Sequence, residues 1–183
     1  MNKSVLVIGV SGSGKSFICD KMIKLGYTAY DLEDINGMFN MVNKSTHKTI
    51  SEKEWEDNKH DLEYVKQHDS LCNIKKLQEL IDRNINKDIL DGVVLYFGTA
   101  SNTDEILSLF NKVILLKTSS DTIRKRLDVR TSNDFGRASK VQNWLFEWKD
   151  WWEDHIQEKG AMTIDANHDV EEIIRDILSA IKA

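Results

Sequence analysis

The sequence reads GVSGSGKS from Gly9 to Ser16, directly behind the apolar run VLVI at residues 5–8. Glycine lets a backbone approach a ligand closely or adopt a positive φ. Lysine adds a positive charge, and serine adds a hydroxyl that can ligate a hard metal ion. The spacing G-x-x-x-x-G-K-S matches the phosphate-binding P-loop pattern. A P-loop needs a buried strand before it and a helix after it, so the flanking sequence decides the assignment.

Both flanking elements are predicted. Residues 4–10 favour a short buried strand, and residues 15–25 favour a helix that ends at Gly26. The loop amides and the helix N-terminus would then form a concave site for anions. Lys15 would reach the β- and γ-phosphates of ATP, and Ser16 would ligate Mg²⁺. We expect the nucleotide to be held by the loop residues Gly9, Ser11, Gly12, Ser13, Gly14, Lys15 and Ser16.

Strand and helix patterns alternate along the rest of the chain. Ser51 and Glu54 have the spacing of a helix capping box. Strands are predicted at residues 27–35, 89–97, 112–117 and 162–166. Helices are predicted at residues 51–86, with a break near Asp69 and Ser70, and at residues 103–109, 120–129, 140–158 and 169–181. This alternation is typical of a parallel sheet covered by helices on both faces. We therefore expect an α/β, three-layer P-loop NTPase fold with five parallel strands, as a single domain over residues 1–183.

The composition of the chain limits the kinds of binding partner and the cellular compartment that we expect. The net charge of −5 provides no basic field for a nucleic acid. The longest apolar runs are strand-sized, so no membrane partner is expected. Cys19 and Cys72 have no metal spacing and no disulfide framework, which favours the cytoplasm. The sequence leaves a monomer and a homodimer both open.

The glycine loop, the acidic end of the second strand and the order of elements resemble small-molecule P-loop kinases. These include gluconate kinase, shikimate kinase and the nucleoside-monophosphate kinases, and the loop is most similar to that of gluconate kinases. The resemblance implies an ATP-dependent phosphotransferase that moves the γ-phosphoryl group of Mg-ATP to a hydroxyl or phosphate of a small metabolite. That acceptor would be a sugar acid, a nucleoside or a nucleotide. It also implies that a helical segment at about residues 36–87 helps to bind the acceptor.

Three acids, Asp31, Glu33 and Asp34, follow the second strand. Open α/β sheets bind ligands at this edge, and phosphoryl transfer needs an oriented acceptor hydroxyl and a held metal. In shikimate-kinase-like enzymes an aspartate at this strand end does such work, which implies a catalytic role for Asp31 or Asp34. Asp31 would also hold a metal-bound water. The sequence leaves the choice between the two aspartates open.

Arginines cluster near the fourth strand, where RKRLDVR precedes TSNDFGR. In the small-molecule P-loop kinases that this chain resembles, the helix after the fourth strand carries arginines into a lid that closes over the nucleotide. The resemblance implies a short lid at about residues 131–138. Arg130 and Arg137 would then contact phosphate during catalysis, and Arg126 would bind the nucleotide. The loop behind the fifth strand touches adenine in these kinases, which implies a nucleotide contact at Asn167.

The long helix carries tryptophans at helical spacing. Trp144, Trp148 and Trp151 recur at i, i+4 and i+7, which predicts a buried stripe packed on the sheet. Trp152 falls off that stripe and is free to reach a ligand.

Other classes of P-loop protein fit less well. A regulatory GTPase would carry an Asn-Lys-x-Asp motif after a later strand of the sheet. The one such string in the sequence, NKHD at residues 58–61, lies inside a segment predicted to be helical. A motor ATPase would end its third strand in Asp or Glu, whereas this strand ends VVLYFG. A non-catalytic ATP-binding sensor or regulatory P-loop NTPase remains as the alternative function.

Overall fold

A five-stranded parallel sheet forms the centre of the computed structural model, which describes residues 1–130 and 134–182. Two short 3₁₀ turns lie at Leu32–Asp34 and Leu90–Gly92. The strands are β1 (Lys3–Ile8), β2 (Thr28–Asp31), β3 (Phe39–Asn43), β4 (His68–Cys72), β5 (Val93–Phe97), β6 (Lys112–Lys117) and β7 (Met162–Asp165). The helices are α1 (Lys15–Lys24), α2 (Glu52–Asn58), α3 (Leu62–Lys66), α4 (Ile74–Asn84), α5 (Thr103–Leu107), α6 (Ser120–Val129), α7 (Ser139–Glu158) and α8 (Val170–Lys182).

The strand order in the sheet is β2-β5-β1-β6-β7, and every neighbouring pair is parallel. The most central strand is β1, which pairs with β5 on one side and β6 on the other. Its residues are buried from Ser4 onward because both faces of the sheet are covered. The carboxyl end of this central strand leads directly into the glycine loop. The expected five-stranded parallel sheet is confirmed.

Each face of the sheet has its own apolar core. Val5 and Val7 of β1 pack with Ile18 of α1 and Ile177 of α8 on one face. On the other face, Leu6 and Ile8 of β1 pack in a cluster that also contains the buried residues Leu77, Leu80 and Ile81 of α4 and Ile106 of α5. Adjacent β1 residues point to opposite faces, so a continuous apolar run is what this strand requires. The three-layer α/β architecture is therefore confirmed.

The prediction of helix over residues 51–86, broken near Asp69 and Ser70, was wrong in part, because the expected break is strand β4. Strands β3 and β4 form a separate antiparallel pair, in which Phe39 lies opposite Cys72 and Asn43 opposite His68. Helices α2 and α3 lie between these two strands in the chain, and α4, which follows β4, packs against the main sheet. Every residue of β3 is half-buried, so this strand has no alternation of buried and exposed positions. Pairing between distant segments, not local preference, produces it.

Smaller differences concern the ends of elements. The second strand ends at Asp31, not at residue 35, because a 3₁₀ turn begins at Leu32. The Ser51 cap is confirmed, since its Oγ accepts a hydrogen bond of 3.1 Å from the backbone N–H of Glu54. Within residues 1–130 and 134–182, no helix combines the length and apolarity that a membrane crossing requires.

Candidate active site

The glycine loop turns sharply between β1 and α1. Gly12 has a φ of +84° and Gly14 a φ of +100°, values that other residues adopt only with strain. A Cβ on Gly9 would lie 2.5 Å from the Oγ of Ser13, so this position has room only for glycine. Helix α1 begins at Lys15, and its first amides have no partner within the helix. The loop and helix start therefore form a cradle of N–H donors suited to an anion.

Lys15 lies at the centre of this cradle. Its Nζ donates hydrogen bonds to the carbonyl oxygens of Gly9 at 2.7 Å and Val10 at 3.3 Å. The side chain is buried, and burial lowers the pKa of the ammonium despite the nearby carboxylates of Glu33 and Asp31. A buried ammonium with acidic neighbours is a group that a multiply charged anion would stabilise.

Two residues outside the loop hold it in place. Thr99 follows β5, and its Oγ1 donates to the Gly9 carbonyl at 2.8 Å and accepts from the Gly9 amide at 3.2 Å. Arg126 of α6 donates from Nη1 to the Ser13 carbonyl at 3.0 Å and from Nη2 to the Ala166 carbonyl at 2.8 Å. Arg126 thus joins the loop to the segment after β7, where its half-buried guanidinium lines the adjoining cleft.

The acids after β2 are divided by the 3₁₀ turn. Asp31 caps this turn, because its Oδ1 accepts a hydrogen bond from the Glu33 amide at 3.1 Å. The described residues that line the cleft beside the loop include Glu33 and Asp34 but not Asp31. Burial, followed by the charges of Asp31 and Asp20, raises the pKa of the Asp34 carboxyl. The catalytic role of Asp31 or Asp34 stays a prediction, and Glu33 joins them as a group that faces the cleft.

The segment after α6 bears two of the predicted arginines. The expected lid at residues 131–138 lies partly outside the described residues, which resume at Asp134. Arg137 is exposed and donates a hydrogen bond from Nη2 to the Arg130 carbonyl oxygen. Arg130 lines the cleft, whereas Arg137 is not among the described residues of its wall. Burial lowers the pKa of the Arg130 guanidinium, and the charges of Glu33 and Asp134 oppose this shift.

Asp134 and Phe135 attach this segment to helix α2 and to the two residues that follow it, Lys59 and His60. The Asp134 carboxylate contacts Lys59 Nζ at 2.6 Å and His60 Nε2 at 3.0 Å. The hydrogen bond from Lys59 lowers the pKa of Asp134 to about 2. The Phe135 ring lies 5.7 Å from the ring of Trp55 on α2. These contacts attach residues 134–135 to the part of the cleft wall that α2 provides.

A cleft of about 1900 Å³ extends from the glycine loop to the β3–β4 pair. The loop and Arg126 line one end, and Glu33 and Asp34 line the middle. The far wall consists of residues from β3, α2 and β4, among them Phe39, Asn40, Met41, Trp55, His68 and Ser70. Helix α7 contributes Trp148 and Trp152, which pack against the core cluster that contains Val10 of the loop. The arrangement can hold a phosphate chain at one end and a second small molecule at the other.

The predicted buried stripe of tryptophans was wrong. Trp151 is 69 % exposed, Trp144 and Trp148 are half-buried, and all three line the cleft. The buried positions of α7 are instead Val141, Gln142, Leu145, Lys149, Glu153 and Ile156. The buried face of α7, which the helical spacing predicted to hold the tryptophans, instead contains the ion pair of Lys149 and Glu153. Trp152, which the sequence leaves free to reach a ligand, lines the cleft.

Asn167 lies in the turn after β7. Its Oδ1 accepts from the Ser119 amide at 3.0 Å, and its Nδ2 donates to Asp165 Oδ1 at 2.6 Å. The described wall of the cleft contains the neighbouring His168 but not Asn167. The side chain therefore shapes the turn that receives Arg126, and its contact with a nucleotide stays a prediction.

The residues present suit a hard cation held jointly with a nucleotide. Ser16 is exposed in the first turn of α1, with its hydroxyl beside the cradle of amides. Among the described residues, no group of three or more His, Cys, Asp or Glu side chains is placed to hold a metal ion. Mg²⁺ at phosphates commonly takes one or two protein ligands and several waters, and Ser16 with Glu33 or Asp34 fits that chemistry. Asp31 is not among the described residues that line the cleft, and its expected metal role stays a prediction.

Several solved structures share the fold across almost the whole chain. TT1252 from Thermus thermophilus aligns with a TM-score of 0.62 at 12% identity, over 99% of this chain and 96% of that one. A gluconokinase from Sinorhizobium meliloti aligns with a TM-score of 0.56 at 17% identity, over 99% and 92%. A deoxyadenosine kinase from M. mycoides with bound dATP aligns with a TM-score of 0.52 at 16% identity, over 98% and 100%.

At these identities the likeness shows the fold, and it confirms the resemblance to small-molecule P-loop kinases at that level. No protein-family model matches the chain. The comparison with curated proteins gives no significant match either.

Proposed function

We propose that this protein is a small-molecule kinase, which transfers the γ-phosphoryl group of Mg-ATP to an acceptor bound in the same cleft. The observation that carries the proposal is the continuity of one cleft from the glycine loop, past two carboxylates, to a second binding surface. A protein that only sensed ATP would need the loop but not the acids and the far wall. The structural likeness to a gluconokinase and a deoxyadenosine kinase supports the same class of reaction.

Each part of the cleft has a task in this reaction. The loop amides and Lys15 bind the phosphates, and Lys15 neutralises charge near the transferred group. Ser16 holds the Mg²⁺ ion, which offsets the negative charge of the phosphates when it is bound. Arg126 braces the loop against the turn after β7, so the cradle keeps its shape while charge moves.

The acceptor hydroxyl is oriented by a carboxylate at the end of β2. Asp34 is the better placed of the two predicted aspartates, because it lines the cleft and its pKa is raised by burial. A carboxylate with a raised pKa accepts a proton more readily at neutral pH. Arg130 also lines the cleft and stabilises charge on the phosphoryl group during transfer. The two buried free thiols, Cys19 and Cys72, agree with a role in the cytoplasm.

Calorimetric titration with Mg-ATP tests the first requirement of this proposal. We expect the wild-type protein to bind Mg-ATP and to prefer it over Mg-GTP. Lys15→Ala should lose most of that affinity and keep its circular dichroism spectrum, because the Nζ contacts only loop carbonyls. Lys24→Ala is the matched control, since Lys24 is exposed in the last turn of the same helix. Equal affinities in the Lys15 variant and the wild type would refute the phosphate site.

A further inference from the structure

The far end of the cleft is walled by aromatic rings from two separate segments, Phe39 from β3 and Trp55 from α2. Trp148 and Trp152 of α7 also line the cleft, but they pack against the core cluster that contains Val10 of the glycine loop. The Trp55 ring lies 6.4 Å from the His68 ring and 5.7 Å from the Phe135 ring, and both neighbours also line the cleft. Flat aromatic walls stack well on planar rings, and such stacking does not depend on charge.

Neutral polar side chains lie among these rings. Asn36, Asn40, Ser70 and Ser101 line the same part of the cleft. An asparagine amide offers one acceptor and two donors side by side, and this geometry matches the hydrogen-bonding edge of a nucleobase. Hydroxyl groups can act as donor or acceptor and suit the hydroxyls of a sugar. The wall therefore combines flat apolar faces with neutral hydrogen-bonding groups.

The lysine at this end of the described wall already has partners. Lys44 Nζ contacts Asp69 Oδ1 at 3.5 Å and donates a hydrogen bond to the Lys66 carbonyl at 2.8 Å. His68 bonds through Nδ1 to the Tyr64 carbonyl at 2.8 Å. The Nε2 atom of His68 lies 3.3 Å from the side-chain Nδ2 atom of Asn43.

The remaining cations of the described wall, Lys15, Arg126 and Arg130, lie toward the phosphate end. An acceptor carboxylate or phosphate would need to displace an existing partner. Two acids of this wall are also in ion pairs, Glu56 with Lys59 and Asp69 with Lys44.

From this arrangement we infer that the acceptor is a nucleoside, and that sugar acids and nucleotides are poor acceptors. The inference rests on the proposed function and narrows its substrate class. A hydroxyl oxygen of the nucleoside sugar would attack the γ-phosphorus of ATP and form the new O–P bond. The bond from that phosphorus to the β,γ-bridging oxygen breaks, and ADP leaves. The hydroxyl proton passes to the carboxylate of Asp34 or Glu33. The products are a nucleoside monophosphate and ADP.

A panel of matched acceptors tests the inference on the intact chain. The panel pairs each common ribo- and deoxyribonucleoside with its own 5′-monophosphate, and adds gluconate and glucose. Product is measured by chromatography after incubation with Mg-ATP, and nucleoside binding is followed by thermal shift. We expect at least one nucleoside to exceed its monophosphate and gluconate by about tenfold or more in kcat/KM. Faster phosphorylation of gluconate, glucose or a nucleotide would overturn the inference, as would the absence of binding and turnover with every nucleoside.

Calorimetric titration with Mg-ATP distinguishes failure of the proposed kinase function from failure of the nucleoside inference. If the protein binds no Mg-ATP, the proposed function fails and the acceptor inference falls with it. If Mg-ATP binds and gluconate is the preferred acceptor, the kinase proposal stands and only the nucleoside class is refuted.

Variants of Trp55 give a second test that does not depend on the choice of panel. Trp55→Leu removes the ring that meets His68 and Phe135, whereas Trp55→Phe keeps an aromatic face. We expect the Leu variant to raise the KM for the nucleoside by about tenfold and to leave Mg-ATP affinity within twofold of wild type. The Phe variant should recover most of this loss.

Leu90→Ala is the control, because Leu90 is exposed in a 3₁₀ turn and is not among the described residues of the cleft wall. A nucleoside KM that is the same for Trp55→Leu, Trp55→Phe and wild type would contradict stacking on this wall.

Discussion

Loss of one partner from the buried pair on α7 should destabilise the fold strongly. Lys149 Nζ lies 2.9 Å from Glu153 Oε2, and the two residues are 4 % and 0 % exposed. Glu153 Oε1 has no hydrogen-bond partner among the described residues. Burial raises the pKa of Glu153 although Lys149 opposes the shift. Burial also works to lower the pKa of Lys149, but its hydrogen bonds to Glu153 and Asp150 raise it overall.

Glu153→Leu would leave a buried ammonium whose remaining partner, Asp150, is exposed. Breaking a buried ion pair in this way costs about 3–5 kcal/mol, and we take about 3 because Asp150 still contacts Lys149. For a chain of this size, that loss lowers the Tm by roughly 6–12 °C. The double variant Lys149→Met, Glu153→Leu removes both charges and should recover the wild-type free energy of unfolding within about 1 kcal/mol.

Urea denaturation followed by circular dichroism measures these free energies, with the slope m checked for constancy. Asp150→Asn is the control, and we expect it to change the free energy of unfolding by less than about 0.5 kcal/mol. If the double variant is as unstable as Glu153→Leu, the loss comes from packing and not from the unpaired charge. That result would refute the reasoning.

Other predictions concern catalysis and pH. Arg137→Ala should lower kcat by roughly tenfold to a thousandfold with little change in Mg-ATP affinity, because a lid arginine acts on charge that moves during transfer; a wild-type rate would remove this residue from catalysis. Asp31→Asn should depress turnover more than ATP binding if Asp31 orients the acceptor, and a larger kcat loss in Asp34→Asn would give that role to Asp34, which lines the cleft. The pKa of Asp134 is lowered from 3.8 to about 2 in the fold, so its contacts should persist at neutral pH and weaken as pH falls from about 4 toward 2. An NMR titration of its carboxyl carbon measures this, and a midpoint near 4 would contradict the contact with Lys59.

The sequence predicted the centre of the main sheet well because β1 and β5 are continuous apolar runs. Residues 5–8 and 93–97 are buried on both faces, and such strands are recognisable from composition alone. The glycine loop was equally predictable, since Gly12 and Gly14 adopt the positive φ that its motif requires. In both cases the information is local.

The far end of the cleft could not be predicted, because its structure depends on contacts between distant segments. Strand β4 exists through its pairing with β3, and its residues His68–Cys72 have no strong alternation of their own. The tryptophans on α7 have the spacing of a buried stripe, yet Lys149 and Glu153 occupy the buried face. A buried ion pair cannot be recognised from spacing, since the same residues at i and i+4 usually lie on an exposed surface.

Product stoichiometry is the most direct test of the central claim that one cleft joins ATP to an acceptor. The protein is incubated with Mg-ATP and the nucleoside panel, and ADP, inorganic phosphate and phosphorylated acceptor are quantified together by chromatography and mass spectrometry. A kinase with this cleft should release ADP and phosphorylated acceptor in equal amounts, with little free phosphate, and Lys15→Ala should release neither. Release of ADP with an equal amount of free phosphate, unchanged by any acceptor, would contradict the account and indicate a regulatory NTPase.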